Sequence, residues 1–244
     1  MIVSVNQPAY LPWLGYFHRI AASDVHVVLD HVQFEKNSFT NRNRIRTPDG
    51  WCWLTVPLRT KGRFGDLAIR SVEIDNSADW RTRHWKTLCQ SYRRAPHFEE
   101  HAAYFEGVYE REWNLLSDLL RDTTAYLLRA LGITTTLLFS SDMSPQGAKD
   151  EVVLDLCRKA NADLYLSGAL GRNYLRGELF ERTGIAVAYQ DYRHPEYPQG
   201  KGRAWEPSMS VVDLLFNCGP RSLEVLMKEQ DRISVPQGAA KRHV

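Results

Sequence analysis

Apolar positions follow two periods along the chain, and their alternation predicts an α/β protein. Residues 2–5 form a short β-branched run, residues 25–29 form a second, and residues 14–22 between them read as a helix of two to three turns. Strand, loop, helix and strand within thirty residues has the length of a parallel βαβ unit. Residues 51–58 and 67–74 then read as two strands of a hairpin, joined by the loop that holds Gly62 and Gly65. Asp79 can cap a helix over 80–92, where Trp85, Leu88 and Tyr92 are helically spaced, and Pro96 follows it. Residues 98–105 suggest a short helix. The longest apolar pattern is 113–131, through Leu116, Leu119, Leu120, Leu127, Leu128 and Leu131, and Gly132 stops it.

The second half resumes the alternation. Strands are expected at 134–140, 163–166 and 185–189, with helices at 149–160, 178–183 and 222–229. Ser210-x-x-Asp213, ahead of an apolar run, has capping-box spacing with Asp in place of Glu or Gln. The expected whole is one α/β domain over residues 1–244. Its mainly parallel, Rossmann-like sheet has about five strands, supplemented by a β-hairpin and a helical insertion at about 80–131.

In such folds ligands collect beyond the carboxyl ends of the strands, where helix N-termini also point. Asn6, Gln7, Tyr10 and Trp13 follow the first strand, and Asp30, His31 and Gln33 the second. Ser140-Ser141, Ser167-Gly168 and Gln190 end the later strands, so these sets should open into one crevice. Asn41, Arg42 and Asn43 are consecutive hydrogen-bonding side chains in the loop that leaves the second strand. On an extended backbone Arg42, Arg44 and Arg46 share one face, a guanidinium row suited to carboxylate or phosphate or simply a solvated surface strand.

Composition narrows the classes. Hydrophobic residues at 43% and charged residues at 25% are ordinary for a globular chain. The net charge of +2 demands no nucleic-acid partner, and the terminal Lys241-Arg242-His243 reads as a frayed basic tail. No apolar run reaches the length of a membrane span, and the N-terminus enters a strand without a signal-peptide core, so a soluble cytoplasmic protein is expected. Cys52, Cys89, Cys157 and Cys218 lie far apart, which argues against a zinc knuckle or a disulfide framework. His26, His84 and His97 are scattered and suggest no metal site. No cofactor is expected either. Walker A and G-x-G-x-x-G spacings are absent, Gly168-Ala-Leu-Gly171 is only a weak echo of a phosphate loop because its spacing is wrong, and a Gly200-Lys-Gly loop follows the Pro- and Tyr-rich segment near the C-terminus.

Two residues stand out for proton chemistry. His194 lies in a Pro- and Tyr-rich segment after the last strand, where its imidazole can serve as general base or merely fix a turn. Asp30 ends a strand and can orient a base, hold an amine or form a turn. No nucleophile is evident. Ser167 lacks a G-x-S-x-G elbow, Cys157 lies on an apolar helix face, and Cys218 sits at a helix end.

The Pro-containing loop with Gly15 resembles that of HIGH-motif nucleotidyltransferases. Trp13 and Tyr16 stand where that superfamily has its two histidines, so the likeness implies the fold and not the phosphate chemistry. Across nearly the whole chain, Gln7-Pro-x-Tyr-x-Pro-x-x-Gly-Tyr-Phe17, Asp30-His-Val-Gln-Phe34, Asn41-Arg-Asn-Arg44, Tyr165-Leu-Ser-Gly168, His194-Pro-x-Tyr197 and Ser210-Val-Val-Asp-Leu-Leu-Phe-Asn217 resemble the WbqC-like protein family. That resemblance implies a tailoring step in a bacterial surface-polysaccharide or natural-product pathway. The expected activity is acyl or aminoacyl transfer from an activated donor, with an acyl carrier protein as a candidate partner and a small amine or hydroxyl compound as acceptor. His194 and Asp30 would be catalytic; Gln7, Tyr10, Gln33, Asn41, Arg42, Asn43, Ser167 and Tyr197 would bind substrate. Adenylate formation and a non-catalytic module of a biosynthetic complex are the alternatives.

Overall fold

The computed structural model describes residues 1–63, 65–200, 204–228 and 233–234. Its strands are β1 (Ile2–Asn6), β2 (Val25–Val28), β3 (Arg42–Thr47), β4 (Gly50–Thr55), β5 (Thr136–Phe139), β6 (Leu164–Ser167), β7 (Ala186–Gln190) and the two-residue β8 (Ile233–Ser234). One sheet runs in the order β5-β2-β1-β6-β7-β8, with β5 to β7 parallel and β8 antiparallel at the edge. The five expected strands therefore share one sheet, an α/β Rossmann-like arrangement. The first connection carries the chain from β1 to β2, while β6 and β7 lie on the other side of β1. The carboxyl ends of β1 and β6 thus flank a topological switch point, the usual ligand crevice of such sheets.

Alternation along the strands separates two cores. Val3, Val5, Val27, Tyr165 and Val187 meet α6 (Asp150–Lys159) and α7 (Gly177–Glu181) on one face. The larger core packs α1 (Leu14–Ala21), α2 (Trp80–Tyr92), α3 (Phe98–Glu110), α4 (Leu116–Leu131), α8 (Val211–Cys218) and α9 (Ser222–Met227) together. Between β5 and α6 lies the one-turn helix α5 (Ser140–Met143). Phe216 of α8 is the hub of the larger core, in edge contact with Tyr92, Phe98 and Phe105 at centroid distances of 5.1–5.5 Å. The helices α2 to α4 occupy the expected stretch between β4 and β5. The helix expected at 98–105 runs on to Glu110, because Val108 and Tyr109 continue its buried stripe.

The hairpin differs from expectation. Within the expected strand 51–58, residues 51–55 pair with the arginine row and not with 67–74: β3 and β4 are antiparallel, with Arg42 opposite Thr55 and Thr47 opposite Gly50. The two-residue turn at Pro48-Asp49 brings Ile45 and Leu54 inward and leaves Trp51 and Trp53 exposed. Residues 67–74 hold a 3-10 turn (Ile69–Ser71), tied by single bridges from Ala68 to Gln33 and from Ile74 to Leu58. Their buried positions are Leu67, Ile69, Val72 and Ile74, and the three-residue step in the middle suits a turn and not a ladder. Ser210 does cap α8, its Oγ accepting from Val212 N–H at 3.3 Å. The box is not reciprocal, since Ser210 N–H donates to the Arg44 carbonyl. The Asp213 side chain is instead buried, accepting the Tyr197 hydroxyl. Lys201-Gly202 of the glycine loop and the basic tail at 241–243 lie outside the described residues.

Candidate functional site

The loop from β1 to α1 is held rigidly. Leu11 adopts a left-handed φ of 42°, unusual for a branched residue, and Asn43 Nδ2 donates to its carbonyl at 2.8 Å. Tyr10 is fully buried; its hydroxyl lies 3.0 Å from His84 Nδ1 and 2.6 Å from Tyr109 Oη. Pro12 accepts from Val211 N–H, and Trp13 forms a β-bridge with Ser210, so the N-termini of α1 and α8 are tied together. The Trp13 ring covers the first turn of α1. A Cβ at Gly15 would collide with that ring, which is why glycine stands there. From the end of β7, Gln190 Nε2 donates to the Gly15 carbonyl at 2.8 Å and lies 2.7 Å from His18 Nδ1.

Beside this turn His194 is half-buried between two aromatic rings, Trp13 at 5.2 Å and Tyr192 at 5.3 Å between centroids. Its polar contacts are loose: Ser208 N–H to Nδ1 and Ser208 Oγ to Nε2, both 3.4 Å. Ser208 is held in place by a left-handed φ of 62°, and its carbonyl accepts from Arg44 at 3.4 Å. Burial, assisted by the Arg44 charge, pushes the His194 pKa below its ordinary value, so the ring is neutral at pH 7. A neutral imidazole with slack hydrogen bonds, next to a guanidinium and aromatic walls, is equipped to accept a proton from a bound compound.

Asp30 has a different neighbourhood. Its carboxylate accepts from Ser140 Oγ (2.9 Å), Ser141 N–H (2.9 Å) and Ser141 Oγ (2.8 Å), clamping the end of β2 to the start of α5. His31 Nδ1 lies 2.6 Å from the same Ser140 Oγ. Among the described residues Asp30 and His194 share no partner, so Asp30 does not orient that imidazole. Asp30 does line a cleft of about 380 Å³, open mouth included, together with Pro8, Tyr16, Ser117, Arg121 and Phe139. Replacing Asp30 by Ala removes the acceptor of three donors; the Ser140 hydroxyl can turn to His31, but the Ser141 N–H cannot rotate away. The expected cost is about 2–3 kcal/mol, which for a chain of this size lowers Tm by about 4–12 °C. A thermal melt within 1 °C or so of wild type would show that the clamp holds nothing together.

The remaining expected binding residues disperse. Gln7 is half-buried at the end of β1, with no hydrogen-bond partner among the described residues. Gln33 pins a loop, its Oε1 accepting from Leu67 N–H at 2.9 Å. Asn41 Nδ2 donates to the Val56 carbonyl and Asn43 Nδ2 to that of Leu11, so both amides pin the backbone around them. Arg42 donates to the Asn37 carbonyl and lies 4.6 Å over Trp53, whereas Arg44 is the member of the row near His194. Arg46 is buried, donating to the Gly50 and Ala204 carbonyls. Tyr197 is 8% exposed and donates to Asp213, while Ser167 is buried with an Oγ that makes no hydrogen bond of normal length. Trp13, Tyr192, Ser208 and Arg44 are the site residues that sequence reasoning did not assign. Trp13 had a signal in its place after the first strand, and Arg44 in its place in the row.

Burial raises all four thiols, Cys157 to about 12 and Cys218 to about 11, with Cys52 and Cys89 also above the ordinary value. None is a thiolate at neutral pH. Among the described residues no group of three His, Cys, Asp or Glu side chains could hold a metal ion, and no helix is long and apolar enough to cross a membrane.

The family model of the WbqC-like protein family matches residues 7–225. An uncharacterized protein, Rv1507c of Mycobacterium tuberculosis (strain ATCC 25618 / H37Rv), is 38% identical over 226 residues, which cover 92% of this chain and 96% of that one. No solved structure matches the chain.

Proposed function

The chain belongs to the WbqC-like protein family, and on that premise we propose a biosynthetic transferase that moves an acyl or aminoacyl group. The donor is an activated acid, a carrier-protein thioester being the preferred form. The acceptor is a small amine or hydroxyl compound of a bacterial natural-product or surface-polysaccharide pathway. The observation that carries the reading is His194: neutral, loosely bonded, walled by Trp13 and Tyr192, and beside the Arg44 guanidinium.

In this reading the acceptor nitrogen or oxygen attacks the donor carbonyl as His194 takes its proton. The carbonyl oxygen becomes an oxyanion, which the Arg44 guanidinium stabilises. Collapse breaks the bond to the leaving sulfur, and the imidazolium returns the proton to the departing thiolate. No covalent enzyme intermediate is needed, in keeping with thiols that burial holds protonated.

Mass spectrometry of carrier-protein thioesters incubated with the protein and small amines tests the reading, with acyl transfer as the expected result. Calorimetry with ATP and Mg²⁺ should be silent. ATP binding with pyrophosphate release would replace transfer by adenylate formation. Within the arginine row Arg44→Lys should lower turnover by about tenfold, because lysine keeps the charge and loses the planar fork. Arg42→Lys should change turnover less than about twofold, since Arg42 serves the Asn37 carbonyl and the Trp53 face. The reverse ranking would move the oxyanion partner to Arg42, at the start of β3.

A further inference from the structure

Arg19, near the end of α1, leans back toward the N-terminus of its helix, as helical side chains do. Its guanidinium meets the chain just past β6, where a Cβ at Gly168 would collide with Nη1. Arg19 is 7% exposed, and its Nε has no hydrogen-bond partner. No carboxylate pairs with it among the described residues. The groups that feel its charge are Tyr16, Tyr165 and Tyr174, whose hydroxyls burial keeps protonated, and the neutral His18 and His26. A cation taken out of water with no counter-ion is unfavourable unless something else supplies the negative charge.

The adjoining residue completes the picture. Ser167 is 1% exposed; its Oγ lies near the Tyr165 hydroxyl, whose pKa it lowers, but makes no hydrogen bond of normal length. A Cβ at Gly171 would collide with that Oγ, so glycines at 168 and 171 keep side chains away from both groups. Arg19 Nη1 and Ser167 Oγ both border the chain at the carboxyl end of β6, beside Gly168 and Gly171, on the flank of the switch point between β1 and β6. We infer that Arg19 and Ser167 form an oxyanion subsite that takes a carboxylate or phosphate group of a small-molecule ligand. The guanidinium presents Nε and a terminal nitrogen as a fork, and the serine hydroxyl adds a third donor. This subsite stands apart from the His194 cluster and does not rest on the transfer reading.

The test needs no turnover. The wild-type protein is titrated with inorganic phosphate and, separately, with acetate, each to about 100 mM so that millimolar dissociation constants are covered. Sodium chloride holds the ionic strength constant. The Arg19 Nε–H signal is followed by NMR, assigned by its loss in Arg19→Lys, and Tm is measured in parallel. At least one anion should shift that signal saturably and raise Tm. A response to phosphate alone assigns a phosphate ligand, and a response to acetate alone a carboxylate. Ser167→Ala should weaken the response by about tenfold, and Gly168→Ala should abolish it by crowding. Arg19→Met should lose the Tm response while keeping the fold. Should Arg19→Met not fold, the wild-type signal and Ser167→Ala decide. An unmoved Nε signal with both anions, or a Tm response that persists in Arg19→Met, overturns the inference.

Discussion

His194→Ala is expected to lower turnover of the transfer reaction by about 10²–10⁴-fold, the usual worth of a positioned general base. The fold should survive. The ring is half-buried and its two hydrogen bonds are long, so its removal costs packing against Trp13 and Tyr192 and little else. The loss should appear in kcat more than in KM, because proton removal is felt in the transition state and not in the ground-state complex. The pH profile supplies an independent readout. With a pKa below the ordinary histidine value, His194 is in its base form from alkaline pH down past neutrality, and activity falls only when the pH drops through that lowered pKa. Part of the lowering comes from Arg44, so Arg44→Met should move the acid limb upward as well as lowering turnover. A His194→Ala protein that keeps activity within about threefold of wild type, with its acid limb unmoved, would exclude His194 as the base.

Much of this architecture is legible in the residue pattern, and the failures have physical causes. Strands at 2–5, 25–29 and 185–189 were readable because β-branched or alanine-rich runs end at Asn6, Asp30 and Gln190, polar residues that mark a sheet edge. Strand β3 was not, since Arg-Asn-Arg-Ile-Arg-Thr has the composition of a loop, and only Ile45 of its inward residues is apolar. With β3 hidden in this way, the apolar run at 67–74 looks like the partner of 51–58. His194 could be picked from its position after a strand end. Choosing Arg44 over Arg42 could not be done from alternation, which puts both on one face; the return of the chain at Ser208 decides it. Asn41 and Asn43 look like ligand-binding amides in sequence because an exposed loop and a loop pinned by side-chain donors use the same residues. Arg19 gives no sequence signal. A basic residue in the last turn of a short helix normally points at the helix dipole, and its burial depends on Gly168, almost one hundred and fifty residues away.

Acid should unfold the protein well above the carboxylate range, because three imidazoles are buried in neutral form. His26 is held near a pKa of about 3, and His18 and His84 near about 4, each chiefly by burial. The Arg19 charge adds to the lowering at His18 and His26, and that of Arg83 at His84, where a backbone contact with Thr55 opposes it. The partners suit neutral rings: Ser4 Oγ at 2.8 Å from His26 Nδ1, Gln190 at His18, and the Tyr10 hydroxyl at His84. Above a pH of about 6.5 these rings are neutral in both folded and unfolded chains and contribute no pH dependence. Below it the unfolded chain binds protons that the folded one refuses, so stability falls as the pH drops and stops falling only near the folded pKa values. At pH 5 each ring should have removed about 2 kcal/mol. The three together reach about 6 kcal/mol, comparable to the whole stability of many domains. Denaturant melts at pH 7.5, 6.5, 5.5 and 5 measure the slope, which should reach at least about three protons per molecule at the acid end, since His194, His31 and His101 are lowered as well. His84→Gln should remove about one proton from that slope even if it lowers stability at pH 7.5. A denaturation midpoint that stays flat from pH 6.5 to 5 would mean that these imidazoles are protonated in the folded protein, with counter-charges that the Tyr10, Ser4 and Gln190 partners do not supply.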